Sequence, residues 1–424
     1  MKAGATLALV SSIFILLSAN SISVLFFHSS SYTFLVELLA LDVPLAILIS
    51  MLNSVLLGLQ RFKQSGLIGM TYVVLVYGSA IVLLKATNSL EAVPIGWGIG
   101  YAFGAALFLI ELSRKHVRGN ASRVDMRRIV SYSAPLYVTG VISVGASYID
   151  RLIVAYLKNL QSIGIYTLVL MIVAAVAILS SPVSSMVLSK FSEYYARNDS
   201  EMIREGVRIS TNAASVLYVP AALGVSALSI PFLRLVGGQA YVQGAIPLVI
   251  ILVVNSLFVI KGPLSSALQG TRKTHIFVIS ASASLLVNFA LSLVLIPQYS
   301  LVGAAAGYSS IPVVTFLIIY YFARRAEVLR LDLRMLSRIW LSSIIMALTV
   351  YALAWLTGFT LALIPFYVMS GLGWVLGNSG AMLDRPAHVG ITFDSKTRQQ
   401  TDALLYSLRE DVVLAPADSH NRPH

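Results

Sequence analysis

Twelve stretches of mostly apolar residues follow one another along the chain, at about 3–27, 33–58, 66–86, 92–113, 130–157, 161–187, 209–236, 242–268, 274–296, 300–323, 338–356 and 359–376. A helix needs about 20 such residues to cross the hydrocarbon core of a bilayer. Inside lipid every backbone polar group must find its partner within the segment, so each stretch predicts a membrane-spanning helix. The fold class expected is all-α and polytopic. Composition agrees: 57% of the 424 residues are hydrophobic and 11% are charged. A soluble domain carries roughly 25% charged residues, so a water-facing enzyme is excluded. Lys2 ahead of the first apolar run also fits a signal peptide, but the run continues to Phe27, longer than such a region normally is.

Basic residues alternate across the connections. Those after even-numbered spans hold nineteen Lys and Arg, among them Arg61, Lys63, Arg114, Lys115, Arg272 and Lys273. Those after odd-numbered spans hold three, Lys85, Lys158 and Arg234. Cytoplasmic loops carry the Lys/Arg excess. The even connections and both termini are therefore expected in the cytoplasm. The formal charge of +12 is spread over these inner loops, so a nucleic-acid partner is not expected.

With no cysteine and six scattered histidines, a thiolate metal site, a disulfide framework and a histidine-ligated metal are not expected. No metal and no cofactor are expected. The outer connections are very short, which leaves no room for an extracytoplasmic catalytic domain. The last 48 residues have mixed charge, no spanning segment and no catalytic motif.

Two segments resemble each other. Leu59-Gln60-Arg61-Phe62-Lys63 precedes a pair of spans containing Gly96-Trp97-Gly98-Ile99-Gly100-Tyr101. Leu268-Gln269-Gly270-Thr271-Arg272-Lys273 precedes a pair containing Gly303-Ala304-Ala305-Ala306-Gly307-Tyr308. The offsets are 209 for the glutamines and 207 for the glycines and the tyrosine. Small residues four apart serve close helix packing in many membrane proteins, but two motifs in one order at one offset indicate duplicated halves, as in transporters. Six spans lie between about 130 and 323, and only four precede them. The expected organisation is an amino-terminal four-helix bundle (1–128), a pseudo-symmetric six-helix bundle (129–325), an additional helix pair (326–376) and a cytoplasmic tail (377–424). A 6 + 6 + 2 plan lacking its first helix pair accounts for this pattern. An upstream in-frame start encoding two more apolar spans would support that expectation.

The stretches Ser131-Tyr132-Ser133-Ala134-Pro135-Leu136, Tyr148-Ile149-Asp150-Arg151-Leu152-Ile153-Val154, Gly164-Ile165-Tyr166 and Lys190-Phe191-Ser192-Glu193-Tyr194-Tyr195, with Leu268-Gln269-Gly270, Asn288, Ile296-Pro297 and Gly303-Ala304-Ala305, carry a family resemblance over roughly residues 50–325. Together they resemble the polysaccharide and lipid-linked oligosaccharide flippases of the multidrug/oligosaccharidyl-lipid/polysaccharide exporter superfamily. The resemblance implies two six-helix bundles plus a terminal pair. It also implies a non-enzymatic transporter in the cell membrane that moves a polyprenyl-(pyro)phosphate-linked oligosaccharide from the inner to the outer leaflet by alternating access. The partners implied are that lipid-linked substrate, membrane lipid and enzymes of glycan assembly.

Ionisable residues inside spans are the default site candidates, because a bare charge there is costly. Asp42 lies about 13 Å along the second span at 1.5 Å per residue, just before Pro44. Cavity polarity, ion or proton coupling, and a structural pairing are all open for it. Glu37 lies nearer the interface, about one turn into the span. Asp150 and Arg151, near the outer end of the fifth span, point about 100° apart; Arg151 is an anion contact or a snorkelling, helix-locking residue. Lys261, before Gly262-Pro263, either meets a phosphate or reaches the cytoplasm. Arg61, Arg272 and Lys273 are candidates for gathering anionic headgroups on the inner rim, or ordinary positive-inside residues. Asn255 and Asn288 are expected to join helices. The competing functions are a cation-coupled multidrug exporter, which Asp42 and Glu37 would serve, a transport-inactive partner in a glycan-assembly complex, and a membrane glycosyltransferase or polymerase, which the short outer loops disfavour.

Overall fold

The computed structural model describes residues 2–27, 29–59, 61–113, 126–271, 273 and 275–356. All of these fall in the first of two compact units, Met1–Gly371. The twelfth span expected at 359–376 and the tail lie outside the described residues, as do Arg114, Lys115 and Arg272.

Fourteen α-helices make up the described part: α1 (Lys2–Leu17), α2 (Ala19–Phe27), α3 (Thr33–Gly58), α4 (Phe62–Thr87), α5 (Ala92–Ser113), α6 (Met126–Leu157), α7 (Leu160–Ala177), α8 (Ser181–Ala196), α9 (Ser200–Ala227), α10 (Ser229–Gly237), α11 (Ala245–Leu257), α12 (Lys261–Gly270), α13 (His275–Arg325) and α14 (Leu333–Leu356). Among the described residues eight helices are long and apolar enough to cross a membrane, nine if the pair α1–α2 counts as one span. Large apolar side chains face outward over the surface, Leu17 at 84% exposed and Val74 at 70% for example. Water would not tolerate that surface, whereas lipid covers it. The chain is an all-α, multi-pass membrane protein.

Several spans expected as single rods are broken, and proline explains where. A proline ring collides with the carbonyl four residues earlier and offers no N–H. Pro182 places that collision at Ile178, and the sixth span divides into α7 and α8 across 178–180. Pro263 places it at Val259, and the eighth span divides into α11 and α12 across 258–260. Pro231 places it at Ala227, the last residue of α9. Pro44 and Pro220 sit inside α3 and α9 without ending them. The first span is bent by 65° between Ala8–Leu17 and Ala19–Phe27. Asn88 closes α4 in the left-handed conformation at φ 51°, with its N–H on the Leu84 carbonyl, a standard helix stop.

The two glycine motifs do the same job. A Cβ on Gly96 or Gly100 would lie 2.5 Å from the Cα of Ala80 or Val76, so α5 lies backbone to backbone on α4. A Cβ on Gly303 would lie 2.1 Å from the Leu295 carbonyl oxygen, where α13 folds back on itself at Ser300 (φ 52°, ψ −125°). In each case the motif helix is pressed onto the span before it, as small residues at this spacing allow.

Helix α14 lies along α9 and buries Ile339, Met346, Val350 and Ala354. A charged clasp secures the end of this contact. Arg208 donates to Glu205 in a close bidentate pair and meets Asp332 at 3.5 Å; Arg330 meets Glu201 at 2.5 Å and Glu205 at 3.6 Å. The Glu205 side chain is 7% exposed. Arg208→Ala strands that buried carboxylate, and is expected to cost about 1.5–3 kcal/mol. Arg330→Ala, whose side chain is 49% exposed, is expected to cost less than about 1 kcal/mol. Thermal melts of the purified protein in detergent would rank the two.

Candidate functional site

The ionisable candidates are spread over four places. In α3, Asp42 is buried at 8% exposure. Its Oδ1 lies over Gly98 of α5, where a Cβ would come within 2.8 Å, and its Oδ2 is buried without a hydrogen-bond partner. Gly98 is two residues from Gly96 and Gly100, so it looks away from α4 and towards α3. Three glycines on one helix therefore serve two neighbours. Tyr101, one turn further along α5, is within electrostatic reach of Asp42. Glu37 is half-buried on the same helix, five residues earlier.

Asp150 and Arg151 divide their roles, as the 100° step between neighbours requires. Asp150 is fully buried and accepts a short hydrogen bond from the Tyr166 hydroxyl of α7. That hydroxyl also lies 3.3 Å from the Ala304 carbonyl of α13, so three helices meet at one phenol. This carboxylate is set in the wall of the bundle. Tyr166→Phe removes its partner, and is expected to destabilise the protein by about 1.5–3 kcal/mol, read as a lowered melting temperature. Arg151 instead turns its guanidinium over the Tyr148 ring at 4.6 Å, a cation–π contact of the helix-locking kind.

Lys261 opens α12. The break before α12 lies beside the break before α8. Ser266 of α12 donates to the Ser184 carbonyl of α8 at 2.8 Å, and a Cβ on Gly262 would lie 2.7 Å from Ser184 Oγ. Further along, Gly270 faces Phe191. The two half-helices thus run in the same direction with their amino ends together. Lys261 is half-buried. Among the described residues no carboxylate pairs with it. The N–H groups that open α12 are already bonded, Lys261 to the Phe258 carbonyl, Gly262 to Val259 and Leu264 to Ile260, and Pro263 has none, so what the break offers is the partial positive charge of the helix ends and the Lys261 ammonium. An ammonium with no carboxylate paired to it, beside two helix amino ends, favours an anion by charge alone.

The inner-rim candidates differ from one another. Arg61 is paired with Glu111 of α5 at 3.1 Å, both about one-fifth exposed, so its charge is already engaged. Lys273 is half-buried. Arg272 lies outside the described residues. Asn288 is fully buried, accepts from Ser292 at 3.0 Å and adjoins Gly307 in the returning arm of α13, which suits its expected role between helices. Asn255 does not join helices: its amide donates to the Ile251 carbonyl of its own helix at 2.9 Å.

A groove of about 610 Å³ lies elsewhere, between α7 and the α10 end, lined by Gly164, Thr167, Met171, Val236 and Tyr241 among others. It is wide open and mostly apolar, and contains none of the ionisable candidates. The place argued for an anion is therefore the paired helix break and not this groove. Among the described residues no three His, Cys, Asp or Glu side chains gather as a metal site.

Sequence reading located Asp42, Asp150 and Lys261 but missed what each one meets. Tyr166 is sixteen residues from Asp150 and Gly98 is fifty-six from Asp42, distances at which no local periodicity operates. Glu205 and Arg208 were legible, being three apart on one helix face.

The backbone is similar to that of the lipid II flippase MurJ in an inward closed conformation, with a TM-score of 0.72 and 17% identity, over 89% of this chain and 81% of that one. At that identity the likeness is one of fold. A probable low-salt glycan biosynthesis flippase, Agl15 of Haloferax volcanii, is 22% identical over 266 residues, 62% of this chain. The chain spans about half the length of this curated relative, 55%. A sequence model of the polysaccharide biosynthesis protein family matches residues 3–246, more than half of the chain, and the chain belongs to that family.

Proposed function

We propose that the chain flips a polyprenyl-(pyro)phosphate-linked oligosaccharide from the inner to the outer leaflet of the cell membrane, by alternating access, with both termini in the cytoplasm. The observation that carries this reading is Lys261 at the break between α11 and α12, an ammonium with no carboxylate paired to it among the described residues. The names of the relatives point the same way.

The physical problem is a charged, hydroxyl-rich headgroup crossing oil. One charge at the bilayer centre costs about 2.5–3.5 kcal/mol on insertion scales, and every sugar hydroxyl adds its own desolvation. In this reading the Lys261 ammonium takes the place of water at the phosphate, helped by the positive ends of the helix dipoles beside it. The isoprenoid tail stays in lipid throughout. An inside-negative potential helps an anion outward by about 2.3 kcal/mol per charge per 100 mV. Lys261 and Arg151 are the cationic groups of the path in this reading, Asp42 and Glu37 its acidic groups, and Asp150 positions the helices around it. Lys273 and Arg272 gather headgroups at the inner mouth. Enzymes that build the glycan inside and use it outside are the expected partners.

The test is flipping of a fluorescent polyprenyl-phosphate sugar by the purified protein in liposomes. Protection of the label from an external quencher should collapse when protein is present. No acceleration over empty liposomes would end the proposal.

A further inference from the structure

Helices α6 to α13 carry two cations where the charge pattern leaves few. Of the three basic residues in connections expected outside, two lie here, Lys158 and Arg234. No Asp or Glu shares the connections 158–160, 228–244 and 297–300 with them. Lys158 follows α6 and donates to the Pro297 carbonyl at 3.3 Å, which leaves the rest of its N–H donors free. Arg234 sits in the last turn of α10, with its Nε buried and without a hydrogen-bond partner. Among the described residues neither pairs with a carboxylate. Both stand at the edges of the open groove of about 610 Å³. Leu160, two residues after Lys158, lines it. So does Gly237, three residues after Arg234 on the same face of α10.

Along α7 the lining runs from Leu160 through Gly164 to Met171, eleven residues on, or about 16 Å at 1.5 Å per residue. That is about half of the ~30 Å hydrocarbon core, the depth of one leaflet. Gly164 leaves the floor without a side chain, and the nearest atom to a Cβ there would be the Tyr241 hydroxyl at 3.5 Å. The other face of α7, with Tyr166, Val169 and Val173, is buried in the core. A partner's membrane-spanning helix would need a face as long as the bilayer is thick. A phospholipid brings two chains under one phosphate. A polyprenyl (pyro)phosphate brings a single chain under one or two anionic groups, which matches a single groove one leaflet deep with two cations at its edges. We propose that this groove is the outer-leaflet seat of the polyprenyl-(pyro)phosphate carrier. The isoprenoid chain lies along α7 over Gly164, and the phosphate meets Lys158 and Arg234. The groove itself takes no charge; its edges do. Lys261 then serves the inner half of the path and this pair its outer end. Binding here favours the state with the headgroup outside, by the difference in affinity between the two ends. The direction of travel and the outer position rest on the proposed function.

The experiment is photolabelling of the full chain in phosphatidylcholine liposomes by a polyprenyl phosphate that carries a diazirine in its chain, with labelled peptides mapped by mass spectrometry. Label should fall on residues 160–171 and 236–241. Unlabelled polyprenyl phosphate should displace it, and an equal excess of phosphatidylglycerol should not. Lys158→Gln with Arg234→Gln should raise the probe concentration needed for half labelling by about tenfold or more. Gly164→Leu puts a side chain into the groove with no backbone in its way, and should abolish label at these peptides while the melting temperature stays near that of the wild type. Label confined to other helices would overturn the proposal. So would equal displacement by phosphatidylglycerol, which would make the groove a seat for any anionic lipid, or unchanged labelling of the Gln pair. The flipping assay separates the two readings. If the groove is labelled as expected while no lipid-linked sugar moves, the lipid seat stands and the transport reading falls. If sugar moves while the groove stays unlabelled, the transport reading stands and the lipid seat falls.

Discussion

Lys261→Gln is expected to slow flipping of a polyprenyl-phosphate sugar by about 10- to 100-fold while leaving the folded protein intact. The magnitude follows from one charge-assisted hydrogen bond to phosphate, about 1.5–3 kcal/mol, at 1.4 kcal/mol per factor of ten. Lys261 has no carboxylate partner to strand, so its removal should leave the melting temperature within about 2 °C of wild type or raise it slightly, since an unpaired buried ammonium is itself costly. Lys261→Arg should keep most of the rate. A slow glutamine variant with a collapsed melting curve would point to a structural role instead, and an unimpaired one would move the phosphate elsewhere. Arg151→Gln is expected to have a smaller effect on flipping, because that guanidinium is already over the Tyr148 ring.

Gly303→Ala is expected to be the most damaging single-methyl change in the described chain. The new Cβ would lie 2.1 Å from a backbone carbonyl oxygen and 2.4 Å from its carbon, in a hairpin whose turn residue, Ser300, is already at positive φ. Neither side can move without opening the fold of α13. Overpacking of this kind costs about 1–3 kcal/mol when side chains absorb it, and more is expected where both surfaces are backbone. Gly78→Ala on α4 is the control, because nothing lies within 4 Å of its Cβ position. Expression level and melting temperature in detergent should separate the two variants clearly; equal behaviour would show that the hairpin is looser than its geometry implies. Gly98→Ala should fall near the control, since the clashing atom is the end of the Asp42 side chain.

The repeat read from Gly96…Tyr101 and Gly303…Tyr308 found a shared physical role in the structure, helix backbones in contact. Spacing of small residues is a local property and can be seen in one dimension. The breaks at 178–180 and 258–260 were also within reach, since Pro182 and Pro263 each exclude a helical carbonyl one turn earlier. The apolar runs at 161–187 and 242–268 predict continuous spans there, because hydropathy averages over a window and does not register which backbone group is lost. The charged clasp between α9 and the segment before α14 was half legible, through Glu205 and Arg208, and its second half, Arg330 and Asp332, lies more than 120 residues on.

What the sequence alone determined is the solvent and the class. Apolar runs of bilayer length leave only helices as a way to satisfy the backbone, and the charge alternation predicts which ends face the cytoplasm. What only the tertiary structure decided is the state of each ionisable group. Asp42, Asp150 and Lys261 look alike in the sequence, as single charges in oil. In space one sits over a glycine with an oxygen bare, one is held by a tyrosine from another helix, and one heads a half-helix with no counter-charge. Burial and pairing depend on which helix faces land against each other, and that is a property of packing between segments far apart in the chain.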